Sequence, residues 1–294
     1  ALRTPKRDTE TQSVGLGKMM RPVARHSMSK RVLSTIGVFG GAQAVTIFCS
    51  LIRIKLVALW IGAAGVGLFG LYNAAVELIA AVTQFNMRST AVRDIALARL
   101  TDRAHIFAVV RRWAWFLGLS GALLTLVSAP MLSRWTFGDD AHCGGFMWLS
   151  VVLLISSLAG GELAIMQGSG LLRRLARASL WGGVGGLVLS VPLFYFFRLD
   201  SVVPSIAVYS LATLVAALFI RERPEKVHMS CRDTMMAGAG FIKLGAWMTV
   251  SSFMAVLAQY AIVAYINTRG GMAETGYFQA GYTLVNRYVA VLFA

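Results

Sequence analysis

Residues 178–197 read ASLWGGVGGLVLSVPLFYFF and residues 201–220 read SVVPSIAVYSLATLVAALFI, and neither stretch contains a charged residue. Only Arg198, Leu199 and Asp200 separate the two stretches. A hydrocarbon layer roughly 30 Å thick needs about 20 apolar residues in a helix. The pair therefore predicts two transmembrane helices joined by a short polar turn.

Further apolar segments of similar length extend this pattern over the rest of the chain. Eight predicted spans cover residues 33–60, 67–87, 113–132, 146–166, 176–197, 202–220, 241–266 and 276–294. The chain is 57% hydrophobic and 14% charged, whereas a soluble domain has about 25% charged residues. We therefore predict an all-α, polytopic membrane protein.

The basic residues alternate between the two sides of these spans. Of the 28 Lys and Arg residues, 22 lie in four stretches, which are residues 1–31, 88–112, 173–177 and 221–243. Only Arg134, Arg198 and Arg269 lie in the alternate loops. Because cytoplasmic loops collect Lys and Arg, the N-terminus is predicted to be cytoplasmic. The same rule accounts for the formal charge of +15, so we expect no nucleic-acid partner.

A short motif repeats at two outer helix ends. Gly67-Leu-Phe-Gly70 resembles Gly276-Tyr-Phe-Gln279, which lies 209 residues and six predicted spans later. An even number of spans preserves orientation, so the motif predicts parallel repeats about an axis along the membrane normal. With six spans in each half, the second half is expected to be incomplete.

Four segments follow from this organisation. Residues 1–31 are predicted to be a disordered, basic cytoplasmic tail in which Met28 is a candidate start. Residues 32–222 are the predicted N-terminal six-helix lobe, and residues 223–240 are a cytoplasmic linker. Residues 241–294 are the predicted beginning of a C-terminal lobe.

Five ionisable residues interrupt the predicted spans, namely Arg53, Lys55, Glu77, Glu162 and Arg287. Such a group costs several kcal/mol in hydrocarbon unless it faces a cavity or a partner. Arg53 and Lys55 either line a cationic cavity or extend toward the outer headgroups, whereas Glu77 and Arg287 lie about 15 Å deep. All five are candidate substrate-binding residues. Arg88 and Arg93 are candidates for a headgroup anchor or gate.

Motifs for other kinds of site are missing from the sequence. The four histidines have no ligand spacing and the three cysteines are scattered, which predicts free thiols, no metal and no cofactor. No nucleophile elbow, phosphate loop or zinc-protease motif occurs, so we predict that the protein is not an enzyme. The glycines in residues 181–186 predict a close-packed helix face.

The sequence between residues 34 and 99 carries a more specific pattern. Its parts are the Arg53–Lys55 pair, Leu59-Trp-Ile-Gly62, Gly65-Val-Gly-Leu-Phe-Gly-Leu-Tyr72 and Arg88-Ser-Thr-Ala-Val-Arg-Asp-Ile-Ala96. This stretch resembles the N-terminal helices of bacterial polysaccharide flippases. These are O-antigen and exopolysaccharide repeat-unit translocases of the multidrug/oligosaccharidyl-lipid/polysaccharide exporter superfamily. The later spans agree with that family in spacing only.

The resemblance implies an architecture and a function. It implies twelve or more helices, in two six-helix lobes around a cationic cavity. It also implies a flippase that moves undecaprenyl-diphosphate-linked repeat units from the inner to the outer leaflet of the bacterial inner membrane by alternating access. The implied role is in O-antigen, lipopolysaccharide or exopolysaccharide biosynthesis.

The resemblance further implies partners, and two other functions stay open. The implied partners are the lipid-linked oligosaccharide, membrane lipid, a coupling ion (H⁺ or Na⁺) and the polysaccharide polymerase machinery. A cation-coupled multidrug exporter of the same superfamily is one alternative, for which we would expect a more acidic cavity. A non-transporting membrane scaffold or assembly partner is the other.

Overall fold

The computed structural model describes residues 23–98, 103–221 and 231–293, and the side chains of residues 40–98, 103–221, 249–250 and 252–286. These residues form helices and no strands, which confirms the all-α prediction. The helices are α1 (Val23–Trp60), α2 (Ala63–Thr83), α3 (Met87–Leu97), α4 (Arg103–Phe137), α5 (Cys143–Gly168), α6 (Leu172–Phe197), α7 (Val202–Ile220) and α8 (Cys231–Phe293).

Several of these helices are long and apolar enough to cross a membrane. Within the described residues there are five such stretches, which are Gly40–Trp60, Ala63–Thr83, Arg103–Phe137, Cys143–Gly168 and Leu172–Ile220. The last stretch contains two helices, because α6 and α7 are joined by a 3-10 turn at Arg198–Ser201 and pack against each other. The predicted break at Arg198 is therefore confirmed. Below, the inner side is the side that the basic residues predict to be cytoplasmic.

Three segments that were predicted to be loops or tail contain helix. α1 begins at Val23, inside the predicted tail, and α8 begins at Cys231, inside the predicted linker. Residues 1–22 and 222–230 lie outside the described part of the chain. The predicted loop 88–112 contains α3 and the start of α4. α3 buries Ala91 and Ile95 and exposes Arg93, so it is too short and too polar to be found by a search for long apolar runs.

The helix break at Gly271 repeats an earlier turn of the chain. α8 is interrupted at Gly271, where φ is 81° and ψ is 178°. Gly62, which lies 209 residues earlier between α1 and α2, has a φ of 87° and a ψ of −173°. Glycine adopts this backbone conformation readily because it has no Cβ. The offset of the predicted repeat therefore relates two identical turns.

α2 and the second part of α8 then cross at the glycines of the repeated motif. A Cβ atom on Gly67 would collide with the carbonyl oxygen of Met272, and a Cβ on Gly276 would collide with that of Ala63. Ala63 and Met272 are also 209 residues apart, so each helix offers the same positions to the other. A reciprocal contact of this kind arises from two-fold symmetry. The predicted repeat is confirmed at this crossing, while the division into two six-helix lobes stays a prediction.

Polar contacts also attach α8 to the outer end of α4. The hydroxyls of Tyr260 and Thr136 are 2.5 Å apart, and Asn267 Nδ2 donates to the backbone carbonyl of Thr136 at 2.8 Å. Tyr260 is fully buried in an apolar cluster that includes Tyr72 and Phe146. The outer ends of α2, α4, α5 and α8 therefore share one core.

The glycines of α6 bring it close to α7, as predicted. A Cβ on Gly182 would lie 2.9 Å from Thr213 Cα, and a Cβ on Gly186 would lie 3.1 Å from Tyr209 Cα. These distances are too short for any other residue without a backbone shift. The close approach fixes the position of Tyr209 on α7.

Topology can be tested with two exposed alanines. Ala141 lies between α4 and α5, on the predicted outer side, and Ala96 lies in α3, on the inner side. In a protein whose native cysteines are replaced by serine, an impermeant maleimide should label Ala141→Cys in intact cells, and should label Ala96→Cys only after permeabilisation. Labelling of Ala96→Cys alone in intact cells would show the opposite orientation.

The helix crossing can be tested on α8 itself. Gly276→Ala should lower the melting temperature of the purified protein by several degrees, because overpacking costs about 1–3 kcal/mol. Gly281→Ala is the matched control, since a Cβ there has no heavy atom within 4 Å. Equal melting temperatures for the two variants would contradict the close backbone crossing.

Candidate functional site

A cavity of about 570 Å³ lies among α1, α2, α5, α7 and α8. Along α2 its lining runs from Val66 to Glu77, so the cavity begins at the glycine crossing and continues toward the inner side. Most of its polar lining is uncharged and consists of Ser50, Asn73, Ser156, Tyr209, Ser210, Gln259, Gln279, Tyr282, Thr283 and Asn286. Hydroxyl and amide groups both donate and accept hydrogen bonds. The cavity can therefore hold a strongly hydrated, hydroxyl-rich ligand.

The lining follows the internal repeat. Gly70, Asn73, Ala74 and Glu77 of α2 line the cavity, and so do Gln279, Tyr282, Thr283 and Asn286 of α8, each 209 residues later. The cavity therefore lies across the local two-fold axis between these helices. The symmetry does not extend to charge, because the position 209 residues after Arg53 is Ile262.

Among the described side chains, Arg53 is the cation that lines this cavity. Its side chain is only 8% exposed, although it lies about 10 Å below the outer end of α1. Its guanidinium carbon lies 4.6 Å from the ring centre of Phe69 and 4.7 Å from that of Tyr209. Both distances are within the range of a cation–π interaction. The two rings hold the guanidinium in place from neighbouring helices.

The hydrogen-bonding capacity of Arg53 is incompletely used. Its Nε and Nη2 atoms are buried and have no hydrogen-bond partner. Buried donors without a partner are rare in proteins, and leaving one unsatisfied costs free energy. Arginine has a planar fork of donors and no acceptor, which suits a carboxylate or a phosphate. The arrangement is that of a binding group for an anion.

The other predicted substrate-binding residues are distributed over several places. Glu77 lines the same cavity as Arg53 and is exposed. Lys55, two residues after Arg53, is also exposed but does not line the cavity. Arg287 follows Asn286 in α8, and its side chain lies outside the described residues. The roles proposed for Glu77, Lys55 and Arg287 stay predictions.

The gate candidates lie on α3. Arg88 and Arg93 are both exposed there, at the inner side of the helices, and neither lines the cavity. Their predicted roles as headgroup anchors or gate residues are untested by this placement. Among the described residues, no group of three His, Cys, Asp or Glu side chains could hold a metal ion.

Glu162 lies in a separate ion cluster near the inner end of α5. Arg111 of α4 donates from Nε to Oε1 at 2.7 Å and from Nη2 to Oε2 at 3.1 Å. Arg221, which follows α7, donates from Nη1 to Oε1 at 3.4 Å. Glu162 is buried and does not line the cavity. Its contacts therefore join three helices, and the structure does not place it with Arg53.

Some lining residues could have been found in the sequence and others could not. Val66, Phe69, Asn73 and Glu77 are three or four residues apart, so they share one face of α2. Asn73 and Glu77 on that face interrupt an apolar helix, which is a usable signal. Tyr209 gives no such signal, because its partner Arg53 is far away in the sequence.

The comparisons with known proteins give one match. A family model described as polysaccharide biosynthesis protein matches residues 99–294, which is two thirds of the chain. No curated protein and no solved structure matches. The matched region follows residues 34–99, on which the flippase resemblance rests. The two therefore draw on different parts of the sequence.

The ion cluster makes a prediction about stability. Glu162→Ala should lower the free energy of unfolding by about 3 kcal/mol, because it leaves the guanidinium of Arg111 without its carboxylate partner. The measurement is the melting temperature of the purified protein. The matched control is Asp140→Ala, since Arg134 holds Asp140 with a similar fork at 2.8 and 2.9 Å on an exposed loop.

The control should change stability little, because an exposed pair is screened by water. The hydrogen bond from Arg134 does lower the pKa of Asp140, so Asp140 is ionised at neutral pH. A loss in Asp140→Ala as large as that in Glu162→Ala would contradict the bracing role of Glu162.

Proposed function

The chain belongs to the polysaccharide biosynthesis protein family, and from this premise we propose that it is a flippase for a polysaccharide building block. The proposed substrate is an oligosaccharide repeat unit linked to undecaprenyl diphosphate. It moves from the inner to the outer leaflet by alternating access. The central cavity receives the diphosphate and the first sugars.

The state of Arg53 is the observation that carries this proposal. Phe69 and Tyr209 both lie within cation–π distance of its guanidinium, and contacts with aromatic rings leave the N–H donors of the guanidinium for a ligand. Two of its nitrogens lack a partner. A diphosphate offers oxygens that can accept two parallel hydrogen bonds from a guanidinium. Moving the negative charges of the diphosphate out of water requires a compensating cation such as Arg53.

The rest of the cavity suits the sugar part of the substrate. Asn73, Gln279 and Asn286 supply amide groups, and Ser156 and Ser210 supply hydroxyls. Sugar hydroxyls both donate and accept, as these groups do. Side chains of this type bind many sugars with similar strength, which is useful for a carrier that must release its substrate.

The outer closure is compatible with alternating access. α2 and α8 meet at Gly67 and Gly276 through their backbones, and no side chain from either position interlocks with the other helix. Small residues allow close helix contacts in membranes without a large buried apolar side chain. Such a contact can separate and form again during transport.

One observation favours a second function. Glu77 is exposed in the cavity wall, and a carboxylate there would attract a cationic drug or a coupling cation. A cation-coupled multidrug exporter is therefore the second candidate. The buried charge of Arg53 in the same cavity opposes a cationic substrate, because like charges repel at short range.

The function can be tested at Arg53, with Phe48 as the control. In the protein expressed from its own gene, Arg53→Ala should abolish polysaccharide export. Arg53→Lys should restore it only in part, about tenfold below wild type, because an ammonium cannot form the planar fork. Phe48→Ala, exposed on the same helix and outside the cavity lining, should export normally. Export is measured as surface polysaccharide and is normalised to the protein present in the membrane.

Two results would contradict the proposal. Wild-type export by Arg53→Ala at equal membrane abundance would remove the anion site. Loss of resistance to cationic drugs in Glu77→Gln, with unchanged polysaccharide, would favour the exporter. A scaffold would support polysaccharide assembly in cells but would show no flipping of a fluorescent lipid-linked sugar in proteoliposomes.

A further inference from the structure

A second cavity lies between α6 and α7. It has a volume of about 650 Å³ and is lined entirely by apolar residues, among them Trp181, Leu189, Leu211, Val215 and Phe219. Each of these five side chains is at least 41% exposed. The cavity is therefore an open apolar groove on the surface of the helices. We call it the α6–α7 groove.

Small residues create the depth of this groove. Gly185 of α6 and Ala212 and Ala216 of α7 lie in its lining, and a Cβ on Gly185 would lie 4.0 Å from the Ala212 side chain. Gly182 and Gly186, on either side, hold the two helices close together. The groove thus lies between two tightly packed helices.

The groove extends through the inner half of the membrane. On α7 it runs from Val208 to Ile220, which is about 18 Å at 1.5 Å per residue. Ile220 is the last residue of α7 and is followed by Arg221, on the predicted cytoplasmic side. Half of a hydrocarbon layer is roughly 15 Å thick. The groove therefore matches the depth of a tail from the inner leaflet.

Two cations lie at the inner end of the groove. Arg173, Arg177, Trp181, Gly185 and Leu189 follow each other at intervals of four residues, so they share one face of α6. Arg173 and Arg177 are both exposed. Trp181 lies between these cations and the apolar part of the groove, where an indole commonly marks the membrane interface. This face of α6 is basic at its inner end and apolar above it, so it complements a lipid with an anionic headgroup.

We propose that the α6–α7 groove binds the tail of a polyprenyl phosphate lipid from the inner leaflet, with its phosphate at Arg173 and Arg177. The identity of the lipid rests on the proposed function. The existence of an apolar groove with a basic inner end is independent of that function. α7 separates this groove from the central cavity, since Tyr209 faces Arg53 and the neighbouring Val208 faces the groove. The groove and the central cavity are therefore separate sites, and a lipid with its phosphate at Arg173 and Arg177 leaves the central cavity free.

Binding can be measured on the purified chain by native mass spectrometry with polyprenyl monophosphate as the probe. Ala212→Trp fills the groove and should abolish retention of the probe. Leu123→Trp is the matched control, because Leu123 is 64% exposed on α4 and lies outside the groove. Arg177→Gln should weaken binding about tenfold through loss of a charge-assisted contact.

A second measurement covers the case in which Ala212→Trp disturbs the fold. A benzophenone side chain at Val215 should cross-link to a radiolabelled polyprenyl phosphate, and one at Leu123 should not. Excess unlabelled polyprenyl phosphate should compete, while phosphatidylglycerol should not. Equal competition by phosphatidylglycerol would show an ordinary phospholipid site, and a cross-link to the protein itself would show that another segment covers the groove. Either result would overturn the proposal.

The outcomes also separate this inference from the proposed function. Loss of export in Arg53→Ala together with full probe binding by Ala212→Trp would leave the flippase standing and remove the groove site. Normal export by Arg53→Ala, together with probe binding that is lost in Ala212→Trp, would support the groove site and contradict the proposed role of Arg53.

Discussion

The backbone crossing of α2 and α8 at Gly67 and Gly276 determines much of the remaining geometry. Because neither position carries a side chain, the two helices approach until carbonyl oxygens lie where Cβ atoms would be. Contacts of Tyr260 and Asn267 with Thr136 then hold α8 against α4 at the same outer level. The polar cavity extends from this crossing along α2 and α8 toward the inner side. A bulkier residue at the crossing would change both the closure and the cavity.

The sequence predicted the elements that depend on long apolar runs and on glycine. It located the five long apolar stretches of the described residues, the break between α6 and α7, the close-packed face of α6 and the repeat that relates Gly62 to Gly271. It missed α3, because this short helix buries only one side and its polar residues resemble a loop. It also placed Glu162 with the substrate residues. The partners of Glu162, Arg111 and Arg221, are 51 and 59 residues away, and no local pattern reveals such pairing.

The two buried charged residues of the described part of the chain, Arg53 and Glu162, satisfy one constraint in different ways. A charge within hydrocarbon needs a partner, whether from the protein or from a ligand. Glu162 has two arginine partners and joins α5 to α4 and α7. Arg53 has two aromatic rings within cation–π distance, which stabilise the cation without using its hydrogen-bond donors. The sequence alone identified Arg53 and Glu162 only as ionisable residues within predicted spans. Their different surroundings depend on Tyr209 and Arg221, whose positions are set by the packing of α7.

The internal repeat builds a nearly symmetric cavity, but the two charged residues of its described lining, Arg53 and Glu77, both lie in the first repeat. The position in the second repeat that corresponds to Arg53 is occupied by Ile262. An anionic end of any ligand is therefore drawn off the axis, toward α1 and α7, and its neutral part is left to lie toward α8. A molecule with one anionic end and one neutral end would then be bound in one orientation. The cavity would orient its substrate before the helices move.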